Sequence, residues 1–467
     1  MRKQESVKLL RIRCIRQAGH WTVIFLLVFS LMSGGCGRIA VHDELQDKEG
    51  EQTVIRIAWW GNEERHEITE RVLDLYSQMH PGIVFETLPS TWDDYFEKLS
   101  LETAQGNMPD LIQMDYQYIT TYSQNGSLAD LAAFVEDGTI RTEDLDANMI
   151  GSGRIGGRLC GIVLGSSMLS MVYNPEVFDE AGLSYPETDW TWEDFSDLCM
   201  KITEKTGKYG VAMTPIMDLN LFQYWVRQHG ETLFSSDQCT LGYEDDSVYE
   251  GYVTMFKVLM DAGAVPDSDS WAAINVQGPD KLPVVTGGGG MMQEWNNFVV
   301  KMSDTNENLK LVTPPLMPSL ASSEAASMEK GNEELGLWLK PGMFFSVAET
   351  SDVKRECAQF IDWFINSREA NEILKGERGV PVSSEIRNYL LSDADLPKSQ
   401  KEMFDFANQA MKFCGDTPPP EPAGIEGINE AFSQTANMCF YGVATPGEAA
   451  AEFRRRVNEI LLKNKER

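Results

Sequence analysis

Short apolar strand patterns alternate with amphipathic helix patterns along this chain, and their order limits the folds that it can adopt. Residues 54–60 predict a strand, and the segment after it places its apolar residues on one helical face. Residues 83–85 and 109–114 predict further strands, with a helix at 95–105 between them. Strands that alternate with helices form sheets covered by helices, so the sequence predicts an α/β fold with parallel strands.

The chain is too long for a single hydrophobic core. It has 467 residues, whereas single cores stop growing at about 250–300 residues. The sequence therefore predicts two lobes. Aromatic residues make up 10% of the chain, which is enough for packed interiors and leaves rings for stacking on a ligand.

The N-terminal segment has the pattern of a secretory signal. Six basic residues and one acid are followed by an apolar run at 21–32 and by small residues before Cys36. The run is shorter than the about 20 residues that span a bilayer. A cysteine after small residues resembles the bacterial lipobox, although Ser33 stands where that motif usually has leucine. We expect a signal peptide at 1–35, a lipidated Cys36 and a tether at 36–52; plain secretion and an uncleaved anchor are the alternatives.

The net charge of the chain argues against binding to nucleic acid and to anionic lipid headgroups. The net charge is −31, and an acidic surface repels both phosphate backbones and anionic lipid headgroups. We therefore expect no nucleic-acid partner. We also expect attachment to the outer face of the cell membrane through an acyl chain rather than through a basic patch.

None of the sequence motifs indicates a catalytic centre, a metal site or a cofactor. Residues 151–156 match G-x-G-x-x-G, but a strand follows them where a phosphate cradle needs a helix. The chain contains no G-x-S-x-G elbow and no H-E-x-x-H pair. The cysteines after Cys36 form no C-x-x-C motif, and a disulfide between Cys414 and Cys439 or free thiols are both open. Paired carboxylates leave a glycosidase open as well.

Tryptophans near the predicted ends of strands and helices favour a sugar-binding site. Sugars present flat C–H faces that stack on aromatic rings, while their hydroxyls need polar partners. Trp59 is predicted to belong to the core, and Trp60 and Trp92 are predicted to contact the ligand. Three further tryptophans are candidates for the same role, with core packing as the alternative for each: Trp225, Trp295 and Trp338.

Several segments, in their order and spacing, resemble one family of receptors. These segments lie at 57–61, 106–115, 126–131, 173–183, 191–195, 289–295, 358–361 and 379–381. They are similar to the extracellular solute-binding proteins of family 1, the carbohydrate receptors of ABC importers. The resemblance implies a two-lobed fold of the type II periplasmic-binding-protein kind, with a hinge and a ligand cleft between the lobes.

The same resemblance places the lobe boundaries and the binding residues. The N-terminal lobe would comprise 53–163 and 296–343, and the C-terminal lobe 164–295 and 344–467, with crossings near 161–164, Trp295 and Met343. Carried over by motif, the ligand-binding residues are Trp60, Asp115, Tyr116, Ser166, Ser167, Glu294, Trp295 and Arg378.

Arg65 and His66, which follow the two tryptophans, resemble the start of receptors for pectin-derived oligosaccharides. A uronate carboxylate would pair with a guanidinium group, which Arg65 or Arg378 could supply. The alternative is that Arg65 pairs with a neighbouring acid and that His66 caps a helix or packs.

Together these observations predict a lipid-anchored monomeric receptor that captures an oligosaccharide and delivers it to an ABC permease, without catalysis and without a cofactor. Two alternatives stay open. One is a secreted carbohydrate-active enzyme, and the other is a receptor for a solute that is not a sugar.

Overall fold

The computed structural model describes residues 52–213, 219–321 and 335–463. The predicted signal peptide and Cys36 lie outside the described residues. Among the helices in these three ranges, none combines the length and the apolar character that crossing a bilayer requires.

Strands and helices alternate along most of the described residues. The strands are β1 (Thr53–Trp60), β2 (Ile83–Ser90), β3 (Leu111–Met114), β4 (Arg154–Ile155), β5 (Arg158–Leu159), β6 (Ile162–Ser167), β7 (Leu169–Tyr173), β8 (Tyr209–Val211), β9 (Gly289–Trp295), β10 (Lys310–Val312), β11 (Leu337–Trp338), β12 (Lys340–Val347), β13 (Val380–Pro381) and β14 (Cys414–Gly415). The α-helices are α1 (Glu63–Met79), α2 (Trp92–Ala104), α3 (Ile119–Gln124), α4 (Ala132–Glu136), α5 (Ala147–Ser152), α6 (Pro175–Ala181), α7 (Trp192–Thr206), α8 (Asn220–Arg227), α9 (Ser247–Asp261), α10 (Ser268–Asn275), α11 (Pro283–Thr286), α12 (Phe298–Met302), α13 (Lys354–Asn366), α14 (Arg368–Leu374), α15 (Ser384–Leu391), α16 (Lys398–Ala410), α17 (Ile425–Phe440) and α18 (Pro446–Leu461).

Two larger sheets organise the fold. The first has six strands in the order β13-β6-β12-β3-β1-β2, and the second has four in the order β10-β7-β9-β8. The predicted α/β class is confirmed, but the sheets are mixed. In the first sheet β1 runs parallel to β2 and β3, whereas β12 runs antiparallel to β3 and β6. In the second sheet β8 is parallel to β9, and β7 is antiparallel to β9 and β10.

The core of each sheet follows from the apolar pattern of its strands and helices. In β1, Ile55, Ile57 and Trp59 are fully buried, which confirms the prediction for Trp59. The helix α7 starts in a capping box formed by Thr191 and Asp194, which satisfies free backbone N–H groups at its N-terminus. Its buried residues recur at helical spacing: Trp192, Phe195, Cys199 and Ile202.

The glycine-rich segment at 151–156 ends in a β-hairpin. Its last glycine, Gly156, and the next residue, Gly157, have φ angles of +58° and +86°. Two central residues with positive φ suit the tight turn between β4 and β5, and glycine takes this conformation at little steric cost. A strand therefore follows the glycines, as predicted, and the segment lacks the strand-to-helix setting of a phosphate cradle.

The chain passes between the two sheets at positions that differ from the predicted crossings. It leaves the first sheet at Met168, the single residue between β6 and β7, rather than at 161–164. It does not cross at Trp295, because β10 follows β9 in the same sheet. It has returned to the first sheet by Lys340, the first residue of β12, three residues before the predicted position near Met343.

Sheet membership also differs from the predicted lobe boundaries. Residues 164–167 belong to the first sheet, and 310–312 belong to the second. The helix α13 packs on the first sheet, since the ring centroids of Phe345 and Phe364 lie 5.0 Å apart. The predicted boundaries had placed each of these segments in the opposite lobe.

The cysteines of the described residues form no disulfide. Cys160, Cys199, Cys239, Cys357, Cys414 and Cys439 are all free. Five of them are buried and Cys414 is half-buried, so the alternative of free thiols is confirmed for this part of the chain.

Candidate functional site

One edge of the six-stranded sheet carries several of the predicted ligand-binding residues. The parallel strands β1 and β3 end at this edge, with Asp115 directly after β3. The antiparallel strand β12 begins there with Lys340, which lies opposite Ser167 at the end of β6. Ligands of open α/β sheets bind beyond the carboxyl ends of the strands, so this edge is a candidate binding site.

The second sheet presents the corresponding edge directly beside the first. Strand β7 begins at Leu169, opposite Trp295 at the end of β9. Met168 joins the two edges and is held in place by Asn296. The Asn296 N–H donates to the Met168 carbonyl over 3.0 Å, and the Met168 N–H donates to Asn296 Oδ1 over 3.0 Å. The two edges therefore adjoin, and we call their meeting point the junction.

A row of two cations and two indole rings extends from the junction. The Lys340 Nζ lies 4.6 Å from the centroid of the Trp295 ring. The Trp295 ring meets Trp338 edge-on at 6.2 Å, and the Arg227 guanidinium carbon lies 5.6 Å from the Trp338 ring. Trp295 is half-buried, whereas Trp338 is only 4% exposed. Cation–π contacts hold such rings in place, so Trp295 has the ring suited to stacking and Trp338 supports it.

Sequence reasoning missed Lys340 and Arg227 in this row. Lys340 directly follows the Trp338-Leu339 pair at the start of a strand, in a chain with 71 acidic and only 40 basic residues. A cation beside a candidate stacking tryptophan was the signal that could have identified it.

Asp115 and Tyr116 lie at the end of β3, where the first-sheet wall was predicted. Burial raises the pKa of Asp115, while the Gln117 N–H and the charge of Lys340 act in the opposite direction. The Tyr116 hydroxyl donates to the Pro418 carbonyl over 2.9 Å, and burial raises its pKa to about 12. The Asp115 carboxylate thus interacts electrostatically with Lys340. The Tyr116 hydroxyl, by contrast, already donates a hydrogen bond to the backbone.

Trp60 and Trp92 form an aromatic cluster at the end of β1. Trp60 is 7% exposed and its ring centroid lies 5.3 Å from Trp92, 5.2 Å from Tyr95 and 5.7 Å from Phe96. Trp92 is 44% exposed and is the first residue of α2. Trp60 therefore forms the buried part of this cluster, and Trp92 is the member whose ring is accessible to a ligand.

Two other predicted contacts are buried. Trp225 is 8% exposed, and its indole N–H donates to the Val248 carbonyl over 2.9 Å. Its ring packs between other core rings of the second sheet, so it has no face for a ligand. Ser166 is 1% exposed, whereas its neighbour Ser167 is half-buried at the edge.

The arginines predicted to bind a uronate carboxylate instead share Glu377. The Arg65 Nε lies 2.5 Å from one carboxylate oxygen of Glu377, and Arg378 Nη1 pairs with the other. Arg378 Nη2 also donates to Thr69 Oγ1 over 2.6 Å. Burial lowers the pKa of Arg65 to about 10, and burial together with the nearby Arg65 charge lowers the pKa of Arg378 well below its usual value. The alternative that Arg65 pairs with an acid is correct, but the acid is distant in sequence.

His66 packs instead of facing a ligand. The Trp59 indole N–H donates to His66 Nδ1 over 3.0 Å, which leaves the imidazole proton on Nε2 when the ring is neutral. The two adjoining edges therefore carry Asp115, Ser167, Lys340 and Trp295. Arg65 and Arg378 pair with Glu377 instead, and His66 pairs with Trp59. Among the described residues, no group of His, Cys, Asp or Glu is arranged to hold a metal ion.

Comparisons with known proteins agree with this architecture. A solved family 1 extracellular solute-binding protein from Alicyclobacillus acidocaldarius subsp. acidocaldarius DSM 446 is 27% identical and superposes with a TM-score of 0.76, covering 88% of this chain and 99% of that one. A periplasmic oligogalacturonide binding protein from Yersinia enterocolitica has a TM-score of 0.70 at 22% identity, with 88% and 100% coverage, and supports the fold. The two-lobed α/β fold is thereby confirmed.

Sequence comparisons give one distant relative and one family model. An uncharacterized lipoprotein from Streptomyces antibioticus is 20% identical over 332 residues, which cover 68% of this chain and 67% of that protein. The family model described as bacterial extracellular solute-binding protein matches residues 72–404, more than half of the chain. The chain therefore belongs to the bacterial extracellular solute-binding proteins.

Proposed function

We propose that this protein is the monomeric substrate-binding component of an ABC importer, which captures an oligosaccharide and delivers it unaltered to the membrane permease. The observation that carries the proposal is the junction. There the half-buried Trp295 ring, with Lys340 over it, adjoins the sheet edge of Asp115 and Ser167. An aromatic face next to short polar side chains suits the C–H faces and hydroxyls of a sugar.

Hinge closure at the junction would exclude water from the two sheet edges that face the ligand. Each edge belongs to a different sheet, and Met168 connects them. Water exclusion strengthens the hydrogen bonds of a bound sugar, because the local dielectric constant falls. Binding energy then favours the closed form, which is the form that a permease can recognise.

A thermal-shift screen of the exported chain against an oligosaccharide library tests this function. A ligand that binds only the folded state, supplied at about 100 times its Kd, stabilises it by about 2.7 kcal/mol and raises the melting temperature. We expect at least one oligosaccharide to do so, and chromatography after long incubation to recover it intact. Cleavage products would instead identify an enzyme, and the absence of any shift would contradict sugar binding.

Uronate-containing oligosaccharides are one ligand class within this proposal. Arg65 and Arg378 are occupied by Glu377, so Lys340 is the cation at the junction that would meet a ligand carboxylate. In the same screen, Lys340→Gln should weaken a uronate ligand about tenfold, the loss of one charge-assisted hydrogen bond. Neutral sugars should lose less affinity, because they lose only the support that Lys340 gives to the Trp295 ring. Lys201→Gln, on the outer helix α7, is the matched control.

The proposal includes a lipid anchor on Cys36 at the outer face of the cell membrane. It is supported by the small residues before Cys36 and by the lipoprotein relative from Streptomyces antibioticus. We expect the wild-type protein in the membrane fraction and the Cys36→Ser variant in the soluble exported fraction, because the acyl chain supplies the membrane affinity. Equal partitioning of both proteins would exclude the anchor.

A further inference from the structure

A small pocket lies at the carboxyl ends of β8 and β9 in the second sheet. Its volume is ≈ 140 Å³. Met213, which follows β8, and Glu294, near the end of β9, are among the residues that line it. The Trp295 N–H donates to Glu294 Oε1 over 3.0 Å. Glu294 therefore lines the pocket and also adjoins Trp295, the residue of the second sheet at the junction.

The lining of this pocket combines an apolar part with a polar one. Met213, Met292 and Leu282 are almost fully buried, and Phe298 is half-buried beside them. The Gln293 N–H donates to the Met213 sulfur over 3.2 Å, which orients the thioether. Three lining residues carry polar side chains: Asn275, Gln293 and Glu294.

The size of the pocket excludes a whole sugar ring. An apolar cavity of about 150 Å³ holds one benzene molecule, which has six non-hydrogen atoms. A hexose has twice that number, so only part of a sugar fits into the pocket. A hydroxyl group placed against the thioethers and Leu282 would also lose its hydrogen bonds to water without replacement, which is unfavourable.

We infer that this pocket binds an acetyl substituent of the oligosaccharide. The inference rests on the proposed function, because the substituent arrives on a sugar held at the junction. The acetyl methyl group would pack against Met213, Met292 and Phe298, where thioethers adapt to small apolar groups. The acetyl carbonyl would accept a hydrogen bond from an amide of the polar part, which Asn275 and Gln293 can supply.

The experiment compares matched ligands with and without the acetyl group. The probes are O-acetylated xylo-oligosaccharides before and after mild alkaline deacetylation, and N-acetylated chito-oligosaccharides against their deacetylated forms. We expect the acetylated member of one pair to bind about tenfold more tightly, from one buried methyl group and one hydrogen bond. The two pairs distinguish an ester-linked from an amide-linked acetyl group.

Two neighbouring substitutions make the test specific to the pocket. Asn275 is exposed and lines the pocket, whereas Val276, 83% exposed, is not part of the lining. Asn275→Trp should fill the pocket and abolish the preference for acetylated ligands, and Val276→Trp should retain it. Both changes are at the surface, so folding is preserved.

Each outcome separates this inference from the proposed function. Equal affinity for both members of every pair, or a tight ligand without an acetyl group in the wider library, overturns the acetyl pocket and leaves the receptor function intact. If no saccharide of any kind binds, the proposed function fails and the inference fails with it.

Discussion

Replacing Glu377 by glutamine is expected to lower the free energy of unfolding by about 3–5 kcal/mol, the cost of removing one partner of a buried ion pair. Glu377 is the shared counter-ion of Arg65 and Arg378, and the side chains of Glu377 and Arg378 are only 17% and 2% exposed. The variant leaves two neighbouring guanidinium groups without a negative charge between them. Urea denaturation followed by tryptophan fluorescence measures the loss.

A surface ion pair provides the matched control. Glu385 pairs with Arg368 over 3.0 Å, and both side chains are 56% exposed. Glu385→Gln should cost at most about 1 kcal/mol, because water already solvates both charges. If Glu377→Gln is no more costly than this control, Glu377 is not the counter-ion that holds α1 to the segment before β13.

Replacing Trp295 by alanine is expected to weaken oligosaccharide binding by about 1–3 kcal/mol, the contribution of a large side chain that buries its apolar face against a ligand. Trp295 is the half-buried ring of the junction, and Lys340 and Trp338 hold it in place. Trp295→Phe should keep part of the affinity, because a smaller ring still stacks. Isothermal titration of a sugar identified in the screen measures both variants.

Trp363 is the matched tryptophan for this experiment. It is also half-buried, but it lies on α13 and packs against Tyr76, with ring centroids 5.0 Å apart. Trp363→Ala should reduce stability and leave the affinity unchanged. An unchanged affinity after Trp295→Ala would exclude Trp295 from the binding site and place the sugar elsewhere on the protein.

The sequence predicted local elements well and distant pairings poorly. The strand predicted at 54–60 is β1, and the one at 109–114 contains β3, because apolar runs bounded by turns are local signals. Strand β12 lies between β3 and β6 and is antiparallel to both. No local signal predicts this pairing, since the partner strands are far away in sequence. For the same reason the crossing at Met168 was predicted at 161–164, and a crossing was predicted at Trp295, where the chain stays in the second sheet.

The candidate site shows the same division between local and distant information. Trp295 and Asp115 were identified by motif, and the structure puts both at the adjoining edges. Trp60 was misassigned, because a central strand covered on both faces buries adjacent residues alike and alternation no longer distinguishes inside from outside. The pairing of Arg65 with Glu377 joins residues 312 positions apart, which no local pattern can reveal.

The single-residue connection at Met168 has a consequence for how such proteins can diverge. Side chains of a strand alternate between faces, so inserting or deleting one residue between β6 and β7 would exchange the side chains on the two faces of β7, both of which are buried. It would also separate Met168 from the two hydrogen bonds of Asn296. Substitutions at the two adjoining edges are therefore compatible with this fold, whereas an insertion or deletion at this connection would disrupt the packing of the second sheet.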